Sequence, residues 1–342
     1  MSMKIGIAEK IAKERTKNFI FSNIIQHNLI TYKLIGLFII LNSLIFSFTF
    51  IIKKPLKSDL FRNMNLTKLL KNEINLDYND CSFIRHKLEK REGPFDFETE
   101  FYFIISLISC KIPFSFIRFG DGEGSIMKGK IFNCTRDKWV WVPENKNFRK
   151  SLIESSSICI NKNNFIGIPG KVWNQIAESV LSFSNCTSSK YMSYSTLFIN
   201  KNFPYFHDWI LSFINNLNRW KIILVANQII NSNISWAYKF FYIPDHIVEI
   251  WDEYSTSFLS KLLDVAKHNQ LIFFVSAGPA SNVIILYLTK INNKNIYIDF
   301  GSAIEFITKG YSTRSYLNKK SKNAGQRCES FLLKNKRLIY IE

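Results

Sequence analysis

LIFFVSAGPASNVIILYLTK, residues 271–290, followed by NIYIDF at 295–300, decides the fold. The run 271–275 carries no polar residue. A strand with no polar alternation is covered on both faces, which is the habit of a parallel sheet. It ends in the small turn Ser276–Pro279, opens a helix over 280–290, and a further strand follows. The pattern extends outward in both directions. KIILVAN (221–227) is a second uninterrupted apolar strand, and FFYIP (240–244), NFIGIP (164–169) and FSFIRF (114–119) read as strands too. Helical spacing appears over 97–111, 147–160, 171–183, 205–217 and 247–268. This alternation predicts an α/β domain, Rossmann-like and doubly wound on a mostly parallel sheet. No repeat of 20–50 residues interrupts it.

The chain has 342 residues, 47% of them apolar and 15% aromatic, which is enough for one large domain with appendages or for two domains. The net charge of +18 favours phosphates, nucleic acid or anionic headgroups as partners. The abundance of Lys, Asn, Ile and Phe also fits an AT-rich coding sequence. Six cysteines stand at 81, 110, 134, 159, 186 and 328. None forms C-x-x-C or sits at zinc-finger spacing. A disulfide or two would suit an oxidising lumen. N-x-S/T sequons begin at Asn65, Asn133, Asn185 and Asn233, a number that so Asn-rich a chain produces by chance.

Residues 34–52, LIGLFIILNSLIFSFTFII, carry no charge. As a helix they rise about 28 Å, close to the hydrocarbon thickness of a bilayer. The expected organisation is a basic tail (1–33), a single membrane span (34–52), a stem or entry segment (53–95), the catalytic domain (96–308) and a basic extension (309–342). Lys and Arg flank the span on both sides, so charge does not decide which side the domain faces. The extension holds nine Lys or Arg between Lys309 and Arg337, and reads either as a solvated tail or as a clamp over an anionic substrate.

Three loops at strand ends carry the chemistry. The first is SFIRFGDGEGS, residues 115–125. Alternating glycines let a backbone approach a ligand closely. Asp121 and Glu123 at the end of a strand can set two hard oxygen ligands side by side for a divalent cation holding a diphosphate. The same residues also read as a charged turn closed by an Arg–Asp pair. A dinucleotide fingerprint fails because Ser125 stands where glycine is needed. A P-loop fails because Ile131 replaces the Mg-binding hydroxyl. The second loop is Ser276–Ala280, a small turn presenting N–H groups at a helix N-terminus. The third is Asp299-Phe-Gly-Ser302. Ligands of open α/β sheets gather at this edge.

The order R-F-G-D-G-E (118–123), V-A-N (225–227), I-P…W-D-E-Y (243–254), S-A-G-P (276–279) and I-D-x-G-S (298–302) resembles the GT-D-fold glycosyltransferases over roughly residues 96–305. The resemblance implies a nucleotide-sugar donor, UDP first, and a D-x-E motif requiring Mn²⁺ or Mg²⁺. It carries over to Asp121 and Glu123 as metal ligands, to Ser276, Gly278 and Pro279 in the glycine turn, and to Asp299 and Ser302 in the last turn. Catalytic candidates are therefore Asp121, Glu123 and Asp299. Donor-binding candidates are Arg118, Gly120, Gly122, Asn227, Ser276, Gly278, Pro279 and Ser302. Asp252 and Glu253 are further candidates for base or sugar ligand.

The expected function is a membrane-anchored, metal-dependent glycosyltransferase of the hexosyltransferase class, acting on a glycan or glycoconjugate acceptor. A catalytically degenerate relative serving as a binding or structural module is the alternative. Nucleic acid is not an expected partner: no RNA or DNA module is recognisable, and the aromatics fall in apolar runs rather than among basic residues.

Overall fold

The computed structural model describes residues 78–309, apart from 96, 136, 138, 170–173, 187, 200–201, 216–220 and 228–235, together with Arg314. The expected tail, the expected span at 34–52, the stem up to residue 77 and all but Lys309 and Arg314 of the C-terminal extension lie outside the described residues. Among the described residues no helix is long and apolar enough to cross a membrane.

The elements run α1 (Tyr78–Glu89), α2 (Phe97–Ser109), β1 (Phe114–Arg118), α3 (Asp121–Met127), β2 (Phe132–Cys134), β3 (Trp139–Trp141), α4 (Lys146–Ser155), β4 (Asn164–Ile168), α5 (Asn174–Phe183), β5 (Met192–Tyr194), α6 (Phe203–Asn215), β6 (Lys221–Ala226), β7 (Lys239–Tyr242), α7 (Trp251–Ala266), β8 (Leu271–Ser276), α8 (Ala280–Ile291), β9 (Ile296–Asp299) and the single turn α9 (Glu305–Thr308). Seven strands form one sheet in the order β5-β4-β1-β9-β8-β6-β7, and β2 and β3 make a separate antiparallel hairpin. Every pairing in the large sheet is parallel. The mostly parallel sheet read from the sequence is thus wholly parallel, with the antiparallel pair outside it.

The apolar strands explain the layering. Alternate residues of a strand point to opposite faces. Ile117, Phe273 and Tyr297 pack on one face with Ile126, Phe148, Leu262 and Ile284, from α3, α4, α7 and α8. Phe116 and Phe274 point the other way. There Phe198 meets Phe116 at 5.3 Å and Phe300 at 4.8 Å between ring centroids, and Phe300 also touches Phe206 and Phe274. Edge-to-face pairs of this kind add about 0.5–1.5 kcal/mol each beyond the area they bury. Both faces of β8 are therefore dry, which is why its sequence shows no alternation.

The strand order places the site. The chain leaves β1 toward β4 and β5, whereas β9 is reached from the opposite half through β6, β7 and β8. Loops at such a reversal diverge and open a crevice at the carboxyl ends of the strands.

Two parts of the chain read differently in three dimensions. Residues 78–89, read as stem, form α1, which packs on α2 and is bonded to its end through Cys81–Cys110. Just after it, buried Arg91 forks onto Glu100 with two 2.7 Å bonds, and Ser193 Oγ donates to the same carboxylate. Residues 121–127, read as a loop, form α3.

Candidate functional site

A cleft of about 560 Å³ lies over the carboxyl ends of β1, β8 and β9. All eleven candidate site residues line it. Arg118 to Glu123 come from the end of β1, Ser276 to Pro279 from β8, Asp299 and Ser302 from β9, and Asn227 from β6. Asp252 and Glu253 do not line it. They open α7, where Asp252 accepts a 2.9 Å bond from Asn147 Nδ2.

Arg118 is the hinge of the site. Its Nε and Nη2 reach Asp299 Oδ2 and Oδ1 at 3.2 and 3.4 Å, and its Nη1 donates to the Ser195 carbonyl at 3.1 Å. The Arg–Asp pair considered for the first loop therefore forms with a different aspartate. Gly301 makes the pairing possible. It sits at φ +49°, and a Cβ there would lie 2.0 Å from Arg118 Nη2. Only glycine satisfies both the left-handed backbone and this approach. The Asp299 carboxyl is buried, which pushes its pKa up. Arg118, Ser281 and a Gly301 backbone bond pull against that shift.

The D-x-E pair has its own local geometry. Asp121 and Glu123 occupy the first turn of α3, not an extended loop. Positions i and i+2 of a helix lie about 200° apart. The carboxylates therefore flank the helix start and do not stand side by side. Glu123 Oε2 accepts the Gly120 N–H at 2.8 Å, the one half of a capping box that a glycine N-cap allows, and Asp121 Oδ1 accepts from Gly122 N–H. Asp121 is exposed. Burial pushes the Glu123 carboxyl up to about 7, and the charges of Asp299 and Asp121 add to this against two backbone bonds that lower it.

Gly122 and Gly124, on either side of Glu123, serve packing as much as approach to a ligand. A Cβ on Gly122 would meet Trp139 Cη2 at 2.9 Å, and one on Gly124 would meet Ile176 Cγ2 at 2.8 Å. The helix is glycine-rich because the β2–β3 hairpin and α5 press on it.

The Ser276–Ala280 turn also differs from its sequence reading. The Ala277 N–H donates to Ser281 Oγ, and the Ala280 and Ser281 N–H groups donate to Ala277 and Gly278 carbonyls. The Ser276 hydroxyl donates to the Gly301 carbonyl at 2.9 Å, tying the β8 and β9 loops together. Several of the donors expected to meet an anion are thus engaged within the protein. Gly278, at φ +55°, is where this turn reverses. Asn227 Nδ2 donates to Asp245 Oδ1 across the β6 and β7 loops.

Several lining residues carried no sequence signal. Trp139 and Phe132, 5.3 Å apart between centroids, form an aromatic wall that only the hairpin assembles. Asp137 lies in the hairpin turn, and Arg314 reaches both of its carboxylate oxygens at 3.2 Å. Lys309 pairs with Glu305 at 3.4 Å. Both cations belong to the extension that the sequence left open between a solvated tail and a clamp.

A divalent cation is compatible with this donor set. Asp121, Glu123 and Asp299 bring three carboxyls to one partly dry corner, where burial first and the charges of Asp299 and Asp121 after it push the Glu123 carboxyl up. Among the described residues no three His, Cys, Asp or Glu side chains converge as a ready-made metal site. Asp121 and the Glu123 oxygen not bonded to Gly120 are the hard oxygen donors that would hold such an ion.

No protein-family model matches the chain, and no curated protein does. Solved structures do match. One is described as "The highly conserved domain of unknown function 1792 has a distinct glycosyltransferase fold". It shares 15% identity, covers 76% of this chain and 99% of its own, and has a TM-score of 0.42. Another, "A New Glycosyltransferase (DUF1792) from Streptococcus sanguinis", shares 13% identity, covers 73% and 94%, and has a TM-score of 0.41.

Proposed function

We propose that this protein is a metal-dependent glycosyltransferase that takes a sugar from a nucleotide donor, UDP first, and passes it to a glycan or glycoconjugate acceptor at a membrane. One observation carries the reading. The three sequence blocks R-F-G-D-G-E, S-A-G-P and D-x-G-S, up to 181 residues apart in the bonded pair Arg118–Asp299, meet on one cleft.

The residues divide the work. Asp121 and the Glu123 oxygen that Gly120 leaves free are the groups that would hold Mn²⁺ or Mg²⁺. When bound, the cation neutralises the charge that develops on the leaving diphosphate. Arg118 fixes Asp299, whose carboxylate then has one orientation toward the cleft. A fixed, buried carboxylate is suited to accept a hydrogen bond from a sugar or acceptor hydroxyl. Trp139 and Phe132 offer a flat apolar face to a base or sugar ring. Gly278 and Gly301 keep the β8 and β9 loops close enough to shape the floor.

The test is a screen of the full chain in detergent against UDP- and GDP-sugars with Mn²⁺, following donor hydrolysis and transfer. Metal-dependent turnover that disappears in Asp121→Ala is the expected result. Metal-dependent UDP binding without turnover of any donor would replace the enzyme by a binding module of the same fold. Equal turnover with chelator present would remove the cation from the mechanism.

A further inference from the structure

We infer that this domain matures in the oxidising lumen of a secretory pathway, and that Asn133 and Asn185 carry N-linked glycans there. Three independent features of the domain carry this, and none depends on which reaction the cleft performs.

The first is the cysteine pairing. Cys81 and Cys110 stand 5.2 Å apart between Cα atoms, and Cys159 and Cys186 stand 5.9 Å apart, both within the span a disulfide requires. The two bridges lie in different places. One bonds α1 to the end of α2. The other bonds the segment after α4 to the segment after α5. Two bridges between separate parts of a domain form and persist in oxidising compartments and are rare in a reducing cytosol.

The second is the placement of the sequons. Asn133-Cys-Thr135 and Asn185-Cys-Thr187 are the two whose asparagine lies among the described residues, and both asparagines are exposed. Asn164, Asn202, Asn282 and Asn295 are buried, and none of them begins a sequon. Both sequon asparagines are therefore open to an oligosaccharide transferase. Modification at either exposed site leaves the core intact.

The third is what surrounds each site. On β2, Phe132 and Cys134 face the cleft, so alternation turns Asn133 to the opposite side of the hairpin. A glycan there does not enter the cleft. Asn185 sits on a short segment held on both sides. Its N–H donates to Ser157 Oγ, Ser184 Oγ donates to the Ser156 carbonyl, and the buried Cys186 follows in its bridge to Cys159. The segment is fixed with its asparagine outward.

The test uses the full chain expressed in eukaryotic cells. Microsomal protein is alkylated without reductant, then treated with peptide N-glycosidase in heavy-oxygen water, and its peptides are mapped by mass. The expected result is labelled Asp at positions 133 and 185, with Cys81, Cys110, Cys159 and Cys186 unalkylated under denaturing conditions until reductant is added. Asn185→Gln then removes one glycan step on a gel while donor turnover is kept. Unmodified asparagine at either position, or alkylation of the four cysteines without reductant, overturns the inference. Peptide mapping assigns each position separately, so glycans at Asn65 or Asn233 do not confuse the result.

Discussion

Arg118 at the end of β1 clasps Asp299 at the end of β9 through two side-chain bonds of 3.2 and 3.4 Å, although the two residues are 181 positions apart in sequence. The pair lies at the switch point of the sheet, between the strands where its winding reverses. Both side chains are largely out of water, 13% and 5% exposed. Removing the cation leaves a buried carboxylate without compensation, which costs about 3 kcal/mol. Arg118→Ala should therefore lower the urea midpoint clearly. Arg118→Lys keeps the charge and loses the fork, at about 1 kcal/mol. Equal midpoints for the two variants would show that the planar fork and the charge do nothing separable here.

Gly301→Ala should be harmful at a position with no functional side chain. The backbone is left-handed and the new Cβ would meet Arg118 Nη2 at 2.0 Å. Strain of this kind costs about 1–3 kcal/mol. Displacement of the guanidinium should also reduce turnover. A variant with wild-type melting temperature and turnover would mean that Arg118 has a second position of equal energy.

Asp121→Ala and Glu123→Gln should separate two roles. Asp121 is exposed and its loss should leave melting unchanged while donor turnover falls about 100-fold, as expected when a group stabilising developing charge is removed. Glu123 also caps α3, so its replacement touches both folding and turnover. Turnover of Asp121→Ala equal to wild type would take this residue out of the site.

The pH dependence of stability follows from Glu123. Its carboxyl is raised from an ordinary 4.5 to about 7 in the folded protein. The folded state then holds the proton more tightly than the unfolded state. The stability this contributes is complete below about 4.5 and is lost as pH rises toward 7. In metal-free protein, melting temperature should fall over this interval and level above it. Glu123→Gln cannot ionise and should flatten that slope. Identical slopes for the two proteins would place the titration elsewhere.

The strands at 114–119, 164–169, 221–227 and 271–279 were legible because a buried parallel strand has no water-facing side. Their residues carry the signal without reference to partners. The structure trims each by one to three residues at its end, where the last positions turn into the loops that form the cleft. The brief strands β2, β3 and β5 were not legible. Three residues are too few for periodicity, and their identity comes from what lies beside them. Trp139 shows the same limit. In sequence it only opens the short run Trp-Val-Trp-Val, and it is the hairpin, where it pairs with Cys134 and lies beside Phe132, that brings it over Gly122.

The sequence by itself determined the α/β alternation, the parallel character of the sheet and the three loops that line the cleft, because backbone propensity and burial are written locally and ligands of such sheets gather at one edge. Only the tertiary structure decided who pairs with whom. Arg118 turned to Asp299 and not to Asp121, since strands β1 and β9 are neighbours in space. Asp121 and Glu123 became the first turn of a helix, whose first N–H, that of Gly120, the Glu123 carboxylate caps. Gly122 and Gly124 proved to be demanded by Trp139 and Ile176, groups that arrive only when the hairpin and the helix after β4 pack on that turn.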